Sequence, residues 1–393
     1  MSLFTRKSSI LITCAKGIAP FLKEEAIALG FPVRSELIAG VETEGTLEDT
    51  LRLNFSIRTG QRVLYLLESF TARNPDEFYR KTLKIPWENY IPENGYVCVT
   101  SFVDNPSIKD TRFANLKCKD AIADRFYKKS GSRPNSGPKK DQSVIFIYWR
   151  KERCGIYIDT SGESLSRRGY RKVPLTAPMQ ETLAAAVILA TRWKSGENFI
   201  NPMCGSGTLA IEAALIAMGK DPGAMRNNHG FMHINGFNRP QWRKMKGLAE
   251  KIKKAPAGKI IATDINPRAI EAAQSNAAAA GVNHLIDFEV CDFSDTPIPE
   301  GTGAIVLNPE YGERMGEIEE LEDVYKRIGD YFKQKCAGYR GYIFTGNMEL
   351  AKHVGLRTKR RTPFYNSNIE CRLLRYDLYS GSRKKSGETK NKE

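Results

Sequence analysis

The stretch NFINPMCGSGTLAIEAALIAM, residues 198–218, decides the fold class of the chain. Its first residues form an apolar run typical of a buried strand, and its last residues have the composition of a helix. Gly205 and Gly207 in the loop between them allow a tight turn and close approach of the backbone to a ligand. A helix that begins after such a loop points free N–H groups at whatever lies above it. The stretch therefore predicts a strand–loop–helix unit suited to an anionic group such as a carboxylate.

The loop alone has more than one interpretation. No Lys follows the glycines, which argues against a Walker loop, and the spacing differs from the GxGxxG dinucleotide fingerprint. A structural turn explains a lone Gly-Ser-Gly about as well as a ligand-binding loop does.

The rest of the C-terminal half alternates apolar strands with helices. Strand patterns in KIIATD, LIDFEV, AIVL and GYIFT are separated by helical patterns, and IECRLLRYDLYS supplies a further strand. This alternation predicts a doubly wound parallel sheet, in which ligands bind beyond the carboxyl ends of the strands. RNNHGFMHINGFNRPQWRKMK, residues 226–246, looks like an insertion after the first helix.

The N-terminal half has a different pattern. Short strands such as SILITCAKG alternate with short helices such as FLKEEAIALG, which predicts small α+β units. The Gly-, Pro- and Arg-rich segment SGESLSRRGYRKVPLTAPM marks a domain boundary. The last residues, GSRKKSGETKNKE, are poor in apolar side chains, and we expect them to be disordered.

The net charge and the cysteine pattern limit the possible partners and the cellular compartment. The chain of 393 residues has a formal net charge of +15, which favours a polyanionic partner, either nucleic acid or an anionic membrane surface. A soluble basic protein without such a partner has the same composition. No apolar run approaches the roughly 20 residues of a spanning helix. None of the eight cysteines forms a CxxC pair, so we expect reduced thiols, no metal site and a cytoplasmic protein.

Polar side chains follow three further strands of the predicted sheet. Asp264 ends one strand and can accept two hydrogen bonds from ribose hydroxyls, and Asp292 ends the next and can receive an adenine amino group. A solvated strand end or a helix cap explains either acid alone about as well. Three strand ends with such residues make that explanation weaker.

The stretch AIVLNPEYG, residues 304–312, carries the third of these strand ends. Asn308 and the free carbonyl of Pro309 supply two acceptors side by side, which can hold an exocyclic amine. Tyr311 can lie flat on a base. Together they are suited to holding a flipped nucleobase. The alternative is an Asn-Pro turn followed by a core Tyr.

The motifs NPMCGSGT, ATDIN, CDF and NPEYGER, in this order, resemble those of class I S-adenosylmethionine-dependent methyltransferases that act on exocyclic amines. GESLSRRGYR, APMQETLAA and PMCGSGTLAIEAA extend the resemblance to nearly the whole chain. They are similar to segments of bacterial large-subunit rRNA guanine-N2 methyltransferases with an N-terminal THUMP domain, which are often labelled N6-adenine DNA methylases.

The resemblance implies an architecture. It predicts an α/β chain with a Rossmann-like class I methyltransferase sheet and an N-terminal α+β region that binds RNA. The expected units are a ferredoxin-like segment at 1–65, a THUMP domain at 66–163, a methyltransferase domain at 164–380 and a disordered basic tail at 381–393. It implies no metal, no membrane and no particular oligomeric state.

The resemblance also implies a site. The catalytic residues carried over from the family are Asn308, Pro309 and Tyr311. The residues expected to hold S-adenosylmethionine are Asn201, Pro202, Cys204, Gly205, Gly207, Asp264, Ile265, Asp292 and Phe293.

The expected function is methyl transfer to a guanine N2 amine of 23S rRNA. Transfer to a tRNA guanine N2 or to an adenine N6, and a catalytically silent RNA-binding or ribosome-assembly protein, remain alternatives. The family usually has NPPY where this chain has NPEY. We expect Glu310 to loosen that corner, because it lacks the fixed backbone angle of Pro, while activity is retained.

Overall fold

The computed structural model of the chain describes residues 3–175, 178–250, 257–312 and 315–379, and the predicted tail at 381–393 lies outside them. The described residues form two β-sheets that share one continuous hydrophobic core. A second core lies between the C-terminal sheet and its last helix. No described helix is long and apolar enough to cross a membrane.

The N-terminal sheet has eight strands in the order β2-β3-β1-β4-β8-β7-β5-β6. Its strands are β1 (Ser8–Thr13), β2 (Ser35–Leu37), β3 (Gly40–Gly45), β4 (Arg62–Thr71), β5 (Tyr96–Asp104), β6 (Asn135–Ser136), β7 (Ser143–Arg150) and β8 (Arg153–Asp159). The helices that accompany it are α1 (Ala19–Ala28), α2 (Leu47–Ser56), α3 (Pro75–Lys84) and α4 (Thr111–Ser130). The α+β character expected of this half is confirmed.

Strand β4 joins the two N-terminal units into one sheet. It pairs with β1 through its first residues and with β8 from Leu64 to Thr71. The boundary predicted at residues 65 and 66 therefore falls inside a continuous strand, and the division of the chain at that point stays a prediction. Because β4 belongs to both units, neither can turn against the other without breaking the ladder.

The C-terminal sheet has seven strands in the order β11-β10-β9-β12-β13-β15-β14. Its strands are β9 (Asn198–Pro202), β10 (Ile260–Asp264), β11 (Ile286–Val290), β12 (Gly303–Leu307), β13 (Arg340–Thr345), β14 (Arg360–Asn366) and β15 (Ile369–Asp377). Its helices are α5 (Glu181–Thr191), α6 (Thr208–Ala217), α7 (Arg239–Glu250), α8 (Pro267–Ala280) and α9 (Met315–Gln334). The strand order reverses between β9 and β12, and such a reversal opens a crevice at the carboxyl edge.

The expectation of a parallel sheet needs one correction. The pairs among β9 to β13 are parallel, but β15 runs antiparallel to both β13 and β14. Only Ser367 and Asn368 separate the paired ends of β14 and β15, and Ser367 has a positive φ of 55°. A two-residue turn joins only antiparallel strands, whereas a parallel crossover needs a dozen residues or more.

The segment at 226–246, expected to be an insertion, folds against the N-terminal half. The Phe231 N–H donates to the Thr160 carbonyl at 2.9 Å, and Trp242 packs edge-on against Phe55 with ring centroids 5.5 Å apart. A Cβ on Gly230 would lie 2.3 Å from the Asp159 carbonyl oxygen, so only glycine fits there. The insertion is therefore part of the junction between the two halves.

Two buried arginines complete this junction. Arg168 is 1% exposed and lies 3.4 Å from the carboxylate of Glu212 on α6, which is fully buried. Arg226 donates to the backbone carbonyls of Ser161, Glu163, Ser164 and Arg167 at 2.6–3.3 Å. Burial, followed by the charge of Arg168, lowers the pKa of Arg226 to about 10, so its guanidinium stays protonated at neutral pH. Arg168 also donates to the Arg58 carbonyl of the N-terminal half, so the segment that links the two halves is tied to both.

We expect Arg226→Ala to lower the free energy of unfolding by about 3 kcal/mol, because four buried or partly buried carbonyls lose a charged donor. Urea unfolding followed by circular dichroism measures the change. Arg243→Ala is the matched control, since Arg243 lies on the exposed face of α7. Equal stability of the two variants would show that Arg226 does not hold the junction.

Candidate active site

The loop after β9 has an unusual backbone. Met203, Gly205 and Gly207 all have positive φ, at 54°, 54° and 81°. A Cβ on Gly207 would lie 2.8 Å from the Ala273 Cβ, so glycine lets α8 pack directly against the loop. A Cβ on Gly205 would meet nothing within 4 Å, which leaves open space above the loop. The loop backbone is therefore fixed by α8 at Gly207 and accessible to a ligand at Gly205.

Asp264 at the end of β10 organises this loop. Its two carboxylate oxygens accept from the backbone N–H of Gly205 at 2.9 Å and of Asn266 at 3.0 Å. Each oxygen retains a further lone pair, so hydrogen bonds to ribose hydroxyls remain available. Ile265 beside it is 69% exposed, which is unusual for a large apolar side chain and leaves a surface for a flat ring. The loop after β9 and the end of β10 thus form one unit.

Asp292 lies at the end of β11 and caps a short 3₁₀ turn. Its Oδ1 accepts from the Ser294 N–H at 2.9 Å and from the Arg327 guanidinium at 2.7 Å. Burial would raise the pKa of Asp292, but the hydrogen bonds from Arg327 and Ser294 outweigh it and the pKa is lowered. Phe293 is 5% exposed and packs against Tyr331. A role for Phe293 at a cofactor is therefore restricted to its backbone.

Asn308 and Tyr311 form a closed pair after β12. The Tyr311 hydroxyl donates to the Asn308 Oδ1 at 2.7 Å, and the Asn347 side chain donates to the Tyr311 carbonyl at 3.0 Å. Burial raises the pKa of Tyr311, so its hydroxyl stays protonated and remains a donor. The acceptor predicted for an amine is thus occupied by Tyr311 in this arrangement, and the Tyr311 ring is half-buried.

The two residues between Asn308 and Tyr311 differ in solvent exposure. Pro309 is buried, and Glu310 is exposed with its backbone carbonyl 3.3 Å from the Tyr325 hydroxyl. The NPEYGER motif continues into Glu313 and Arg314, which lie outside the described residues. The exposed Glu310 side chain is compatible with a position that tolerates replacement of the family's second proline.

Asn201 and Cys204 lie below the loop. The Asn201 amide donates to the Val306 carbonyl at 2.9 Å, which ties β9 to β12, while its buried Oδ1 has no partner in the described part of the chain. The Cys204 N–H donates to the Thr263 carbonyl at 2.9 Å, and burial raises the pKa of the Cys204 thiol. Pro202 is buried as the last residue of β9. These residues support the loop from beneath.

Two residues that contact the loop after β9, Arg171 and Asn276, are not predicted by the sequence. The Arg171 guanidinium lies 3.2 Å from the Ser206 Oγ and 3.2 Å from the Thr208 Oγ1, at the start of α6. Asn276 on α8 donates to the Ser206 carbonyl at 3.2 Å and accepts from the Lys172 N–H at 2.7 Å. The sequence shows the segment around Arg171 only as a domain boundary, because no spacing rule places it against the loop after β9.

The residues fit a ligand with an anionic end, a ribose and a flat ring. The open space above Gly205 and the start of α6 suit the anion, whereas the Arg171 charge is already paired with Glu181 at 3.2 Å. Asp264 with Ile265 suits a ribose and a ring, and the unpartnered Asn201 Oδ1 leaves one acceptor for a donor. Among the described residues, no group of His, Cys, Asp and Glu could hold a metal ion.

Comparison with known proteins identifies the family. Residues 168–375, more than half of the chain, match the family described as the RMKL-like methyltransferase domain. The chain belongs to this family. Residues 72–159 match the THUMP domain and residues 9–64 match the RlmL ferredoxin-like domain. The predicted class I methyltransferase fold with ferredoxin-like and THUMP domains is confirmed, and S-adenosylmethionine is the cofactor of this fold.

Curated relatives carry the description ribosomal RNA large subunit methyltransferase K/L. The chain is 36% identical over 377 residues to that of Syntrophotalea carbinolica, covering 93% of this chain and 53% of the relative. It is 33% identical over 378 residues to that of Pseudomonas aeruginosa, covering 93% and 52%. The chain thus spans about half the length of the curated relatives it matches.

Solved structures resemble the chain over nearly its full length. SMU.472, described as a methyltransferase complexed with SAH, superposes with a TM-score of 0.86 at 25% identity, covering 96% of this chain and 100% of that one. A predicted N6-adenine-specific DNA methylase from Listeria monocytogenes superposes with a TM-score of 0.85 at 29% identity, covering 94% and 96%.

We expect Asp264→Ala to weaken binding of S-adenosylhomocysteine by about 2 kcal/mol, because a charged acceptor is lost and the loop after β9 loses its anchor at Gly205. Isothermal titration calorimetry measures the affinity. Asp287→Ala is the control, since Asp287 is an exposed acid on neighbouring β11. An unchanged affinity in folded Asp264→Ala protein would remove Asp264 from the site.

Proposed function

We propose that the chain transfers a methyl group from S-adenosylmethionine to the exocyclic N2 amine of a guanine in 23S rRNA, in the cytoplasm. The observation that carries the proposal is a convergence at one sheet edge. The loop after β9, Asp264 and Asp292 lie at the ends of three adjacent strands, and Asn308 lies at the end of the fourth. A cofactor site and an amine acceptor therefore adjoin each other.

Each of the cofactor residues along this edge would hold a different part of S-adenosylmethionine. The loop from Asn201 to Gly207 would hold the methionine end, Asp264 the ribose and Asp292 the adenine amino group. When bound, S-adenosylmethionine supplies an electrophilic methyl group on a sulfonium, which is a good leaving group. Asn308 is then a side-chain acceptor at the end of the next strand, β12.

Asn308 and Pro309 would prepare the amine. A guanine N2 amine is a weak nucleophile because its lone pair is delocalised into the ring. Acceptance of its two N–H bonds by the Asn308 Oδ1 and the Pro309 carbonyl draws the nitrogen toward a tetrahedral geometry and localises the lone pair. Orientation and electrostatics then supply most of the rate, and no strong general base is needed because the methylated amine releases its proton to solvent.

The Tyr311 hydroxyl occupies one lone pair of the Asn308 Oδ1. An amide oxygen has two lone pairs, so the amine can bind at the second while Tyr311 stays, or can replace the Tyr311 hydroxyl in an exchange of hydrogen bonds of similar strength. Once its hydroxyl leaves, the Tyr311 ring is free to stack on the base. The arrangement thus keeps a half-buried acceptor partnered until the amine arrives.

The RNA assignment rests on the N-terminal half and on the relatives. The THUMP match, the shared eight-stranded sheet and the net charge of +15 support RNA as the substrate. The curated relatives named for the large ribosomal subunit support rRNA over tRNA. One solved relative is named as an N6-adenine-specific DNA methylase, so product analysis must decide between guanine N2 and adenine N6.

The assay incubates the protein with labelled S-adenosylmethionine and with deproteinised 23S rRNA or bulk tRNA, digests the RNA and separates the nucleosides. We expect label in N2-methylguanosine from rRNA. Label in N6-methyladenosine, or label in tRNA alone, would replace the proposal with one of those activities. An absence of label in both RNAs would favour a silent RNA-binding protein.

We expect Asn308→Ala to raise the barrier to methyl transfer by about 2–4 kcal/mol, since one transition-state acceptor is lost. Single-turnover transfer at saturating cofactor measures the rate, and S-adenosylhomocysteine affinity serves as the control that should change little. Near-normal turnover would remove the amine-holding role.

We expect Glu310→Pro to give equal or faster turnover, because proline restores a rigid corner beside Asn308. The same single-turnover assay measures it, with RNA and cofactor affinities determined in parallel. A variant that binds both but transfers no methyl group would show that the Glu310 carboxylate takes part in catalysis.

A further inference from the structure

A polar cavity of about 440 Å³ lies between the N-terminal half and the methyltransferase sheet. Its lining comes from four separate parts of the chain and consists largely of amides, with one ammonium, one hydroxyl and one phenol ring. The polar lining residues are Lys16, Gln61, Gln180, Tyr365, Asn366, Ser367 and Asn368. Within this set, the Gln61 amide donates to the Gln180 Oε1 at 3.2 Å.

The cavity lies on the carboxyl edge of the sheet. Strand β15 is antiparallel to both β13 and β14, so β14 runs in the same direction as β12 and ends at the same edge. Asn366 is the last residue of β14 and pairs with Ile369, the first residue of β15. A Cβ on Gly346 would lie 2.9 Å from the Ile369 Cγ2 and 3.1 Å from the Tyr311 Cδ2, so the Tyr311 ring lies near the strand end that carries Asn366. Tyr311 in turn donates to Asn308. The Tyr311 side chain therefore lies between Asn308 and the cavity wall.

The cavity and the proposed cofactor residues occupy opposite halves of that edge. Asp264 and Asp292 end β10 and β11, on one side of β12, whereas β14 closes the sheet on the other side. A base whose amine is held at Asn308 and Pro309 must extend away from the cofactor. The half of the edge that carries the cavity is the direction left for it.

Lys16 is placed firmly at this cavity. Its Nζ lies 4.3 Å above the Tyr365 ring centroid. A Cβ on the following residue, Gly17, would lie 2.8 Å from the Pro363 carbonyl, and Phe21 stacks on Phe364 with centroids 5.5 Å apart. The backbone that carries Lys16 is thus packed against the hairpin of β14 and β15, while the ammonium itself is exposed.

We propose that this cavity receives the O6 and N7 edge of the target guanine, with the Lys16 ammonium as the donor to that edge. The inference rests on the proposed function. Guanine presents two acceptors there, O6 and N7. A Lys ammonium has donors only, so it pairs with these acceptors, whereas an adenine held by its N6 amine at Asn308 has no carbonyl oxygen to offer it. The N-terminal half would thereby select guanine at the catalytic edge.

The test compares three 23S rRNA transcripts, made with GTP, with 7-deaza-GTP or with ITP. The 7-deaza base lacks N7 but keeps the N2 amine, and inosine lacks the N2 amine. Single-turnover methyl transfer is measured for the wild type, for Lys16→Met and for Lys23→Met. Lys23 is the control, since it is a half-buried lysine of α1, outside the cavity lining, and is paired with Glu36 at 3.3 Å.

We expect the wild type and Lys23→Met to transfer about tenfold more slowly to the 7-deaza transcript, the scale of one lost base contact. Lys16→Met should be about tenfold slower on the GTP transcript and show no further loss on the 7-deaza transcript. S-adenosylhomocysteine affinity should be the same in all three proteins.

A 7-deaza penalty that persists in Lys16→Met would overturn the pocket assignment and would point to a phosphate contact or an RNA-folding effect instead. Wild-type transfer to the 7-deaza transcript at the full rate would overturn it as well. Transfer to the inosine transcript would contradict the guanine-N2 activity itself. This transcript therefore tests the proposed function separately from the role of the cavity.

Discussion

The buried ion pair between Arg168 and Glu212 is the contact on which the arrangement of the two halves depends. Both side chains are almost fully buried, and removal of one partner from such a pair typically costs about 3–5 kcal/mol because the other charge remains without compensation. Tyr170 adds its hydroxyl to the same Glu212 oxygen at 3.1 Å. Glu212 lies on α6, the helix that begins at the loop after β9. The linking segment is thus fixed to the helix that would present its N-terminus to the cofactor, and Arg171 from the same segment reaches the start of that helix.

Rigidity at this junction has a consequence for substrate selection. The half that contains the THUMP domain and the methyltransferase sheet share one core, and the insertion that contains Arg226 closes over the linking segment. A loop of the N-terminal half carries Lys16 to the carboxyl edge of that sheet. Under the proposed function, recognition of RNA by one half would set the position of a nucleotide at the other without a hinge.

The sequence was sufficient for features that depend on local pattern. Apolar strands followed by polar residues predicted Asp264, Asp292 and Asn308 at strand ends, and the parallel order of β9 to β12 brings those ends to one edge. Features set by contacts between distant residues were not predictable. Nothing in the local pattern showed that β4 belongs to two units, that β15 returns antiparallel or that Arg171 reaches the loop. The Tyr311 hydroxyl on Asn308 was also unexpected, because the side-chain direction after a turn is decided by Asn347 and the strands beside it.

We propose that the carboxyl edge is divided at β12 into a cofactor half and a substrate half. A crystal structure of the protein with S-adenosylhomocysteine would show this division. We expect the ribose hydroxyls at Asp264, the adenine beside Asp292 and Ile265, and the sulfur atom directed at Asn308, with the cavity at Lys16 and Asn366 left free. S-adenosylhomocysteine found instead in that cavity, or away from Asp264, would contradict the division.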